Sequence, residues 1–166
     1  MLSDELRKSV LQAAVEGKLV PQNREDEPAS VLLEKINEEK NLYTEKINIK
    51  EENQLSSIVE NETPYELPEN WAWVKLGKVI LLISGRDLET SEYNSLNKGL
   101  PYITGASNIV DGQILINRWV ENPKVISELD DLLISCKGTI GKTAINDIGD
   151  CHIARQIMSI RLFGDY

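Results

Sequence analysis

Apolar residues recur at helical spacing near the start of the chain and at strand spacing after residue 70. Leu6, Val10, Ala13 and Ala14 fall on one helical face. Ser3 precedes them as an N-cap, with Asp4 and Glu5 in the first turn, where unpaired amides favour negative charge. Gly17 is placed to end this helix in the left-handed conformation, and Pro21 forbids an immediate restart. The stripe is narrow and partly alanine. It suits a helix covering the chain's own core or one docked on a partner. A second helix starts near Pro28, a residue that suits a first helical turn. Its Leu32, Ile36, Tyr43 and Ile47 share one face, while Glu34, Lys35, Glu38, Glu39 and Lys40 occupy the other. This long helix is coiled-coil-like, but its pattern spans too few heptads to establish a coiled coil. Between Lys50 and Asn70 the periodicity fails. Glutamates mixed with Asn, Ser, Pro64 and Pro68 predict an extended acidic linker there.

From Trp71 the pattern alternates. Trp71, Trp73 and Leu76 predict a short strand, and 102–104, 114–116, 132–135, 143–145 and 157–162 read the same way. Glycines and Asn/Asp pairs separate these runs. The expected fold is therefore α+β, a helical region over 1–49, a linker over 50–70 and a mostly β domain over 71–166. The connection 86–99 is long, and long ordered loops are more often functional than short ones.

Composition narrows the classes. With 166 residues, 41% apolar and 27% charged, the chain is expected to be a soluble protein with one core or a small domain plus an extension. No apolar run approaches the roughly 20 residues that span a bilayer. Asp4, Glu5, Arg7 and Lys8 interrupt any signal-like stretch, so no membrane partner is expected and the expected compartment is the cytoplasm. Cys136 and Cys151 fit no zinc spacing and are expected to be reduced thiols, with no metal bound. The net charge of −9 argues at first against a nucleic-acid partner. Residues 1–70, however, carry 8 Lys+Arg against 16 Asp+Glu, whereas residues 71–166 carry 10 against 11. The acidity belongs to the helical part, and the β part is nearly neutral.

The stretch Cys136-Lys-Gly-Thr-Ile-Gly-Lys-Thr143 ends like a phosphate-binding loop. Its first glycine should stand at Cys136, where a side chain obstructs the turn. A strand rather than a helix is expected after Lys142, so no helix N-terminus faces the anion. ATP hydrolysis is rejected. What remains is a strand, a glycine-bounded turn and a strand, flanked by Lys137 and Lys142. Exposed amides, the Thr139 hydroxyl and two ammonium groups suit a DNA phosphate, but on local sequence alone a plain hairpin with solvated lysines is the preferred reading.

Several segments resemble a known family. "LRKSVLQAAVEGKLVPQNREDEPASVLLEKINEEK" is similar to the conserved helical region of the specificity subunit of type I restriction–modification systems. "LPENWAWVKLGKVI" resembles the start of that family's target recognition domain. "GLPYITGASNI", "DDLLISCKGTIGKTAI" and "CHIARQIMSIRL" resemble segments within it. The resemblance implies a non-catalytic subunit. It implies double-stranded DNA as ligand, read at one half of a split target. It also implies a methyltransferase subunit as partner and, through the complex, a restriction/translocase subunit. S-adenosylmethionine and ATP with magnesium are expected on those partners, and no cofactor on this chain. Family members typically carry two recognition domains, whereas this chain resembles one helical region and the first part of one domain. The β domain is therefore expected to be incomplete. Self-association of half-subunits would restore two half-sites by symmetry. The alternative is a truncated interaction protein that binds the methyltransferase without competent DNA recognition.

A segment shared by members with different targets does not carry base specificity. The resemblance thus assigns phosphate contact, or structural hydrogen bonding, to Lys137, Thr139, Lys142, Arg155 and Gln156. His152, Arg155 and Gln156 would be grouped by one helical turn. Base readers are expected where the family likeness is weakest: Arg86, Tyr93, Asn94, Asn97, Lys98, Ser107, Asn108, Asn117 and Arg118. Leu6, Val10, Ala13, Ala14, Leu32 and Ile36 become the partner-docking face. Trp71 and Trp73 are assigned to packing rather than base stacking.

Overall fold

The computed structural model describes residues 3–47, 56, 58, 59 and 62–164. Residues 50–55, 57, 60 and 61 of the expected linker lie outside them. The chain divides into two compact units, Met1–Val79 with Phe163–Tyr166, and Ile80–Leu162. Among the described residues no helix is long and apolar enough to cross a membrane.

The first unit is helical. α1 (Asp4–Val15) is capped as the sequence predicts, with the Ser3 hydroxyl accepting from the Leu6 amide at 3.3 Å. Gly17 adopts φ +68° and closes the helix, its amide donating to Ala14 O while Lys18 N donates to Ala13 O. α2 (Ala29–Lys46) follows directly on Pro28 and buries Ile36, Lys40 and Thr44. Ile36 lies against Gly164, and Tyr43 packs on Phe163 with ring centroids 5.8 Å apart. Lys40 reaches Gly77 O at 2.6 Å, on the single-turn helix α3 (Leu76–Val79). By contrast, α1 has no buried residue.

The strand expected at 71–76 does not form. The Trp71 amide closes a turn onto Pro68 O, and its indole donates to Gln22 Oε1 at 3.0 Å. The Trp73 indole donates to Tyr65 O at 3.3 Å and its ring meets Tyr65 at 5.0 Å. These indoles stay partly exposed and brace the turn after α1, with Tyr65 Oη donating to Val15 O. Alternation alone does not distinguish such a strap from a strand, because it contains no information about a pairing partner.

The second unit is the mostly β one. Its first sheet is wholly antiparallel: β1 (Ile80–Ser84), β10 (Ile157–Leu162), β7 (Leu132–Ser135) and β8 (Thr143–Ile145), in that order. The second runs β5 (Trp119–Val120), β2 (Leu100–Ile103), β9 (Cys151–Ile153), β6 (Ile126–Ser127), with β2 and β9 parallel. β3 (Ile109–Val110) and β4 (Gln113–Ile114) form a ribbon closed by Asp111-Gly112, both at positive φ as a type I′ turn requires. Ile103, Ile109, Leu133, Cys151, Ile153 and Ile157 make the apolar centre. Each fully buried isoleucine or leucine there contributes about 1.5–3 kcal/mol.

The inward face of β10 changes character along the strand: Ile157, then Ser159, then Arg161, all buried. The Arg161 guanidinium grips Asp131 with two bonds, Nε to Oδ1 at 2.8 Å and Nη2 to Oδ2 at 2.7 Å. Ser127, Ser159 and the Glu128 amide also donate to Asp131 Oδ2. Burial pushes the Asp131 carboxyl up from its ordinary value and pulls Arg161 down to about 10. The two-pronged geometry is that of a buried ion pair whose lone pairs are satisfied, the condition under which such a pair is tolerated.

Candidate nucleic-acid interface

The glycine-bounded turn joins β7 to β8. Gly138 and Gly141 have φ +74° and +85°. A methyl group on either would meet no atom within 4 Å, so these glycines serve conformation and not close packing. Ser135, wholly buried at the end of β7, holds the turn from inside. Its hydroxyl donates to Thr139 O at 2.6 Å and accepts from Lys142 N at 2.9 Å. Lys137 and Thr139 are left exposed on a fixed scaffold. The structure therefore gives strand, turn and strand here, as the rejection of a nucleotide loop requires.

The Arg155–Gln156 segment is a turn between β9 and β10, not the helical turn expected. His152 points inward from β9 and is 0% exposed, so it is not grouped with Arg155 and Gln156. The strand prevails because Cys151 and Ile153 are needed in the core on either side of it. The turn lies beside the glycine turn: Cys136 N donates to Gln156 O at 2.8 Å and Cys136 Sγ to Arg155 O at 3.5 Å. It also props the start of the long loop. Arg86 N donates to Ile153 O, and Arg155 meets Asp87 through its amide (3.2 Å) and its guanidinium (2.5 Å). A Cβ at Gly85 would fall 2.1 Å from Ala154 O, so only glycine permits this approach. A fourth turn, the 3-10 segment Ala106–Asn108, joins the cluster. Lys142 Nζ donates to Ala106 O (3.3 Å) and Ile109 O (3.0 Å), and Gln156 Oε1 lies against Gly105.

Arg86, Ser107, Lys137, Thr139, Lys142, Arg155 and Gln156 thus lie on four turns linked in a chain, the 3-10 segment to the glycine turn, the glycine turn to the Arg155 turn, and that turn to the start of the long loop. Two corrections follow within it. Asn108 is 0% exposed and its amide is used internally: Oδ1 accepts from Thr104 N and Oγ1, and Nδ2 donates to Leu115 O. Such a side chain builds the turn and does not reach a base edge. The Lys142 ammonium is committed to two carbonyls, which sets it apart from Lys137.

The remaining expected readers lie along the loop after β1. Asn94 is also structural, its Oδ1 accepting from Leu96 N and Lys98 N while Nδ2 donates to Lys98 O and Trp119 O. Asn97 stands exposed at φ +57°, Lys98 follows it exposed, and Asn117 is exposed elsewhere, before β5. Arg118 is exposed, its guanidinium 4.8 Å from the centre of the half-buried Tyr93 ring. Glu92 and Lys124 pair, and the lysine hydrogen bond holds the Glu92 carboxyl below its ordinary value. On the helical unit, Leu6 and Val10 are exposed, Leu32 borders on exposure, and Ala13 and Ala14 are half-buried. Ile36 is 3% exposed and belongs to its own unit's core, so it leaves the docking face.

Sequence reasoning missed the residues that hold this arrangement. His152 is one: Nε2 lies 2.9 Å from Arg86 O, and Nδ1 lies 2.8 Å from Val125 O and 3.2 Å from Val125 N. Burial lowers its pKa below the ordinary 6.5. Ser135 and the Asp131–Arg161 pair are others. A weak signal existed, since Ser159 and Arg161 continue the period-two face of Ile157 and so were destined for the interior.

No protein-family model matches the chain. The specificity subunit of the type I restriction enzyme EcoAI of Escherichia coli is 37% identical over 136 residues, which cover 80% of this chain and 22% of that protein. The EcoEI specificity subunit of Escherichia coli is 31% identical over 168 residues, covering 93% of this chain and 28% of that protein. The HsdS subunit from Thermoanaerobacter tengcongensis superposes with a TM-score of 0.55 at 22% identity, over 96% of this chain and 33% of its own. The chain therefore spans well under a third of the curated relatives it matches. These likenesses bear out the resemblance read from the sequence and the α+β fold. The chain is a relative of type I restriction enzyme specificity subunits.

Proposed function

We propose that the chain supplies sequence-specific DNA recognition to a type I restriction–modification complex and catalyses nothing itself. In this reading it directs an adenine methyltransferase subunit, and through the complex a restriction/translocase subunit, to one half of a split duplex target. The likeness to the EcoEI specificity subunit over 93% of the chain carries the proposal. The cluster of turns supports it, because fixed amides and cations on linked turns of a nearly neutral unit suit phosphate contact. Lys137, Thr139, Arg155 and Gln156 position the duplex. Arg86, Tyr93, Asn97, Lys98, Ser107, Asn117 and Arg118 face its bases. Leu6, Val10, Ala13, Ala14 and Leu32 dock the methyltransferase, which brings S-adenosylmethionine.

The test is a salt series of binding to randomised DNA duplexes by the chain together with its methyltransferase. Enrichment of a sequence motif, with affinity falling steeply as salt rises, is the expected result. Capture of the methyltransferase with no sequence-dependent DNA binding at low salt would replace this reading with that of an interaction protein.

A further inference from the structure

Tyr102 stands at the middle of the loop cluster that carries the proposed base readers. It is 3% exposed, on β2, between β5 and β9. Its amide donates to Arg118 O at 2.8 Å, which fixes the backbone of that arginine. Its hydroxyl accepts from Leu88 N at 3.3 Å, which fixes the long loop. Its ring lies between two others, His152 at 4.9 Å and Tyr93 at 5.5 Å, each tilted in the favoured aromatic geometry. Tyr93 in turn carries the Arg118 guanidinium over its ring and accepts from Nη1 at 3.2 Å. Arg118 is thus held at both ends through one buried residue.

The surrounding charges favour this pose. Asp87 is taken up by Arg155, and Glu92 by Lys124. The two carboxylates therefore leave Arg118 on the ring face. A guanidinium has five N–H donors, and one is used on Tyr93. The others remain to meet a guanine edge in two-pronged fashion, the commonest specific contact of arginine with DNA.

We infer that Tyr102 is the positioning residue that makes Tyr93 and Arg118 a single unit for reading duplex DNA. The inference rests on the proposed DNA recognition and adds which residues set the specificity. Tyr102→Phe removes only the Leu88 bond and keeps the ring. Arg118→Lys keeps the charge and loses both the planar fork and its seat on Tyr93. The full chain with its methyltransferase is offered a pool of randomised duplexes, and the enriched motif, total capture and melting temperature are read together. Both variants are expected to keep the salt dependence, because neither changes a charge, while capture of the wild-type motif falls with the lost discrimination. Both are expected to lose discrimination at the same base position, Arg118→Lys by about tenfold or more and Tyr102→Phe by less. A motif unchanged in Arg118→Lys, or one blurred by the two variants at different positions, overturns the inference. Should Tyr102→Phe melt early, its motif is read below its melting temperature, and a motif there as sharp as that of the wild type overturns the inference as well. A wild-type chain that captures no duplex removes the recognition reading itself.

Discussion

Lys137 and Lys142 flank the same turn, yet the structure makes them unequal, and separate alanine substitutions should show it. Lys137 is exposed on a turn fixed by Ser135. A lysine that neutralises one phosphate contributes a slope of about −0.9 to the plot of log affinity against log salt. Lys137→Ala should therefore make that slope shallower by about 0.9. Its penalty relative to wild type should shrink by about 3.5-fold between 50 and 200 mM salt. The loss should be the same on every duplex, because phosphates carry no sequence, and the melting temperature should hold. The Lys142 ammonium donates at 3.0 Å and 3.3 Å to carbonyls of the neighbouring turn. Its removal should cost stability, about 0.5–1.5 kcal/mol for lost bonds of this kind, and should disturb Ser107 beside them. The salt slope should change less than for Lys137, because this cation is already partly compensated. Fluorescence anisotropy on labelled duplexes across a salt series, with a thermal melt of each variant, measures all of this. If Lys142→Ala flattened the slope as much as Lys137→Ala with no loss of stability, the distinction drawn from these contacts would be wrong. If Lys137→Ala altered the preferred sequence, its assignment to phosphate would fall.

Three further outcomes are expected. Asp131→Asn removes the charge that holds Nε and Nη2 of the buried Arg161, while Glu128 stays 3.0 Å from Nη1, and should cost at most about 3–5 kcal/mol, the range for breaking a buried pair. Urea denaturation followed by circular dichroism would read it, and a loss below about 1 kcal/mol would mean that water already screens the pair. Because burial depresses the His152 pKa, the unfolded chain binds more protons below the ordinary 6.5. Stability should therefore fall as pH drops from 7 through that value. His152→Gln should flatten that part of the curve, and an equal slope in the variant would rule out this histidine as its source. Finally, Cys151 is wholly buried, with its thiol pushed up to about 12, while Cys136 is partly exposed. Iodoacetamide should label Cys136 in the native chain and Cys151 only after denaturation, as mass spectrometry of the peptides would show.

Much of the local structure was legible because its causes are local. Ser3 and Gly17 mark the ends of α1 by their own chemistry, and the runs that became β7, β8 and β10 announce themselves by period-two alternation. The absence of a glycine at position 136, with a strand in place of a helix after Lys142, dismissed a nucleotide loop. Family likeness then carried the proposed function, which no periodicity contains. What stayed hidden depends on pairing across long sequence separations. The strap at Trp71 and Trp73 reads as a strand until Gln22 and Tyr65 are seen to take its indoles. His152 reads as one of a helical trio until Arg86 and Val125 close on its ring from 66 and 27 residues away.

The same division separates the candidate site from its support. The sequence by itself determined which polar residues lie on loops, since turns, glycines and alternation are written residue by residue. Only the tertiary structure decided which of those residues still have a hydrogen-bonding group to offer. Asn94, Asn108 and Lys142 look like readers or phosphate ligands in a string of letters, but their donors and acceptors are already used within the fold. Asn108 is buried, where a polar atom must find a partner inside the protein, and Asn94 and Lys142 are engaged by neighbouring backbone groups; no single position reveals either commitment.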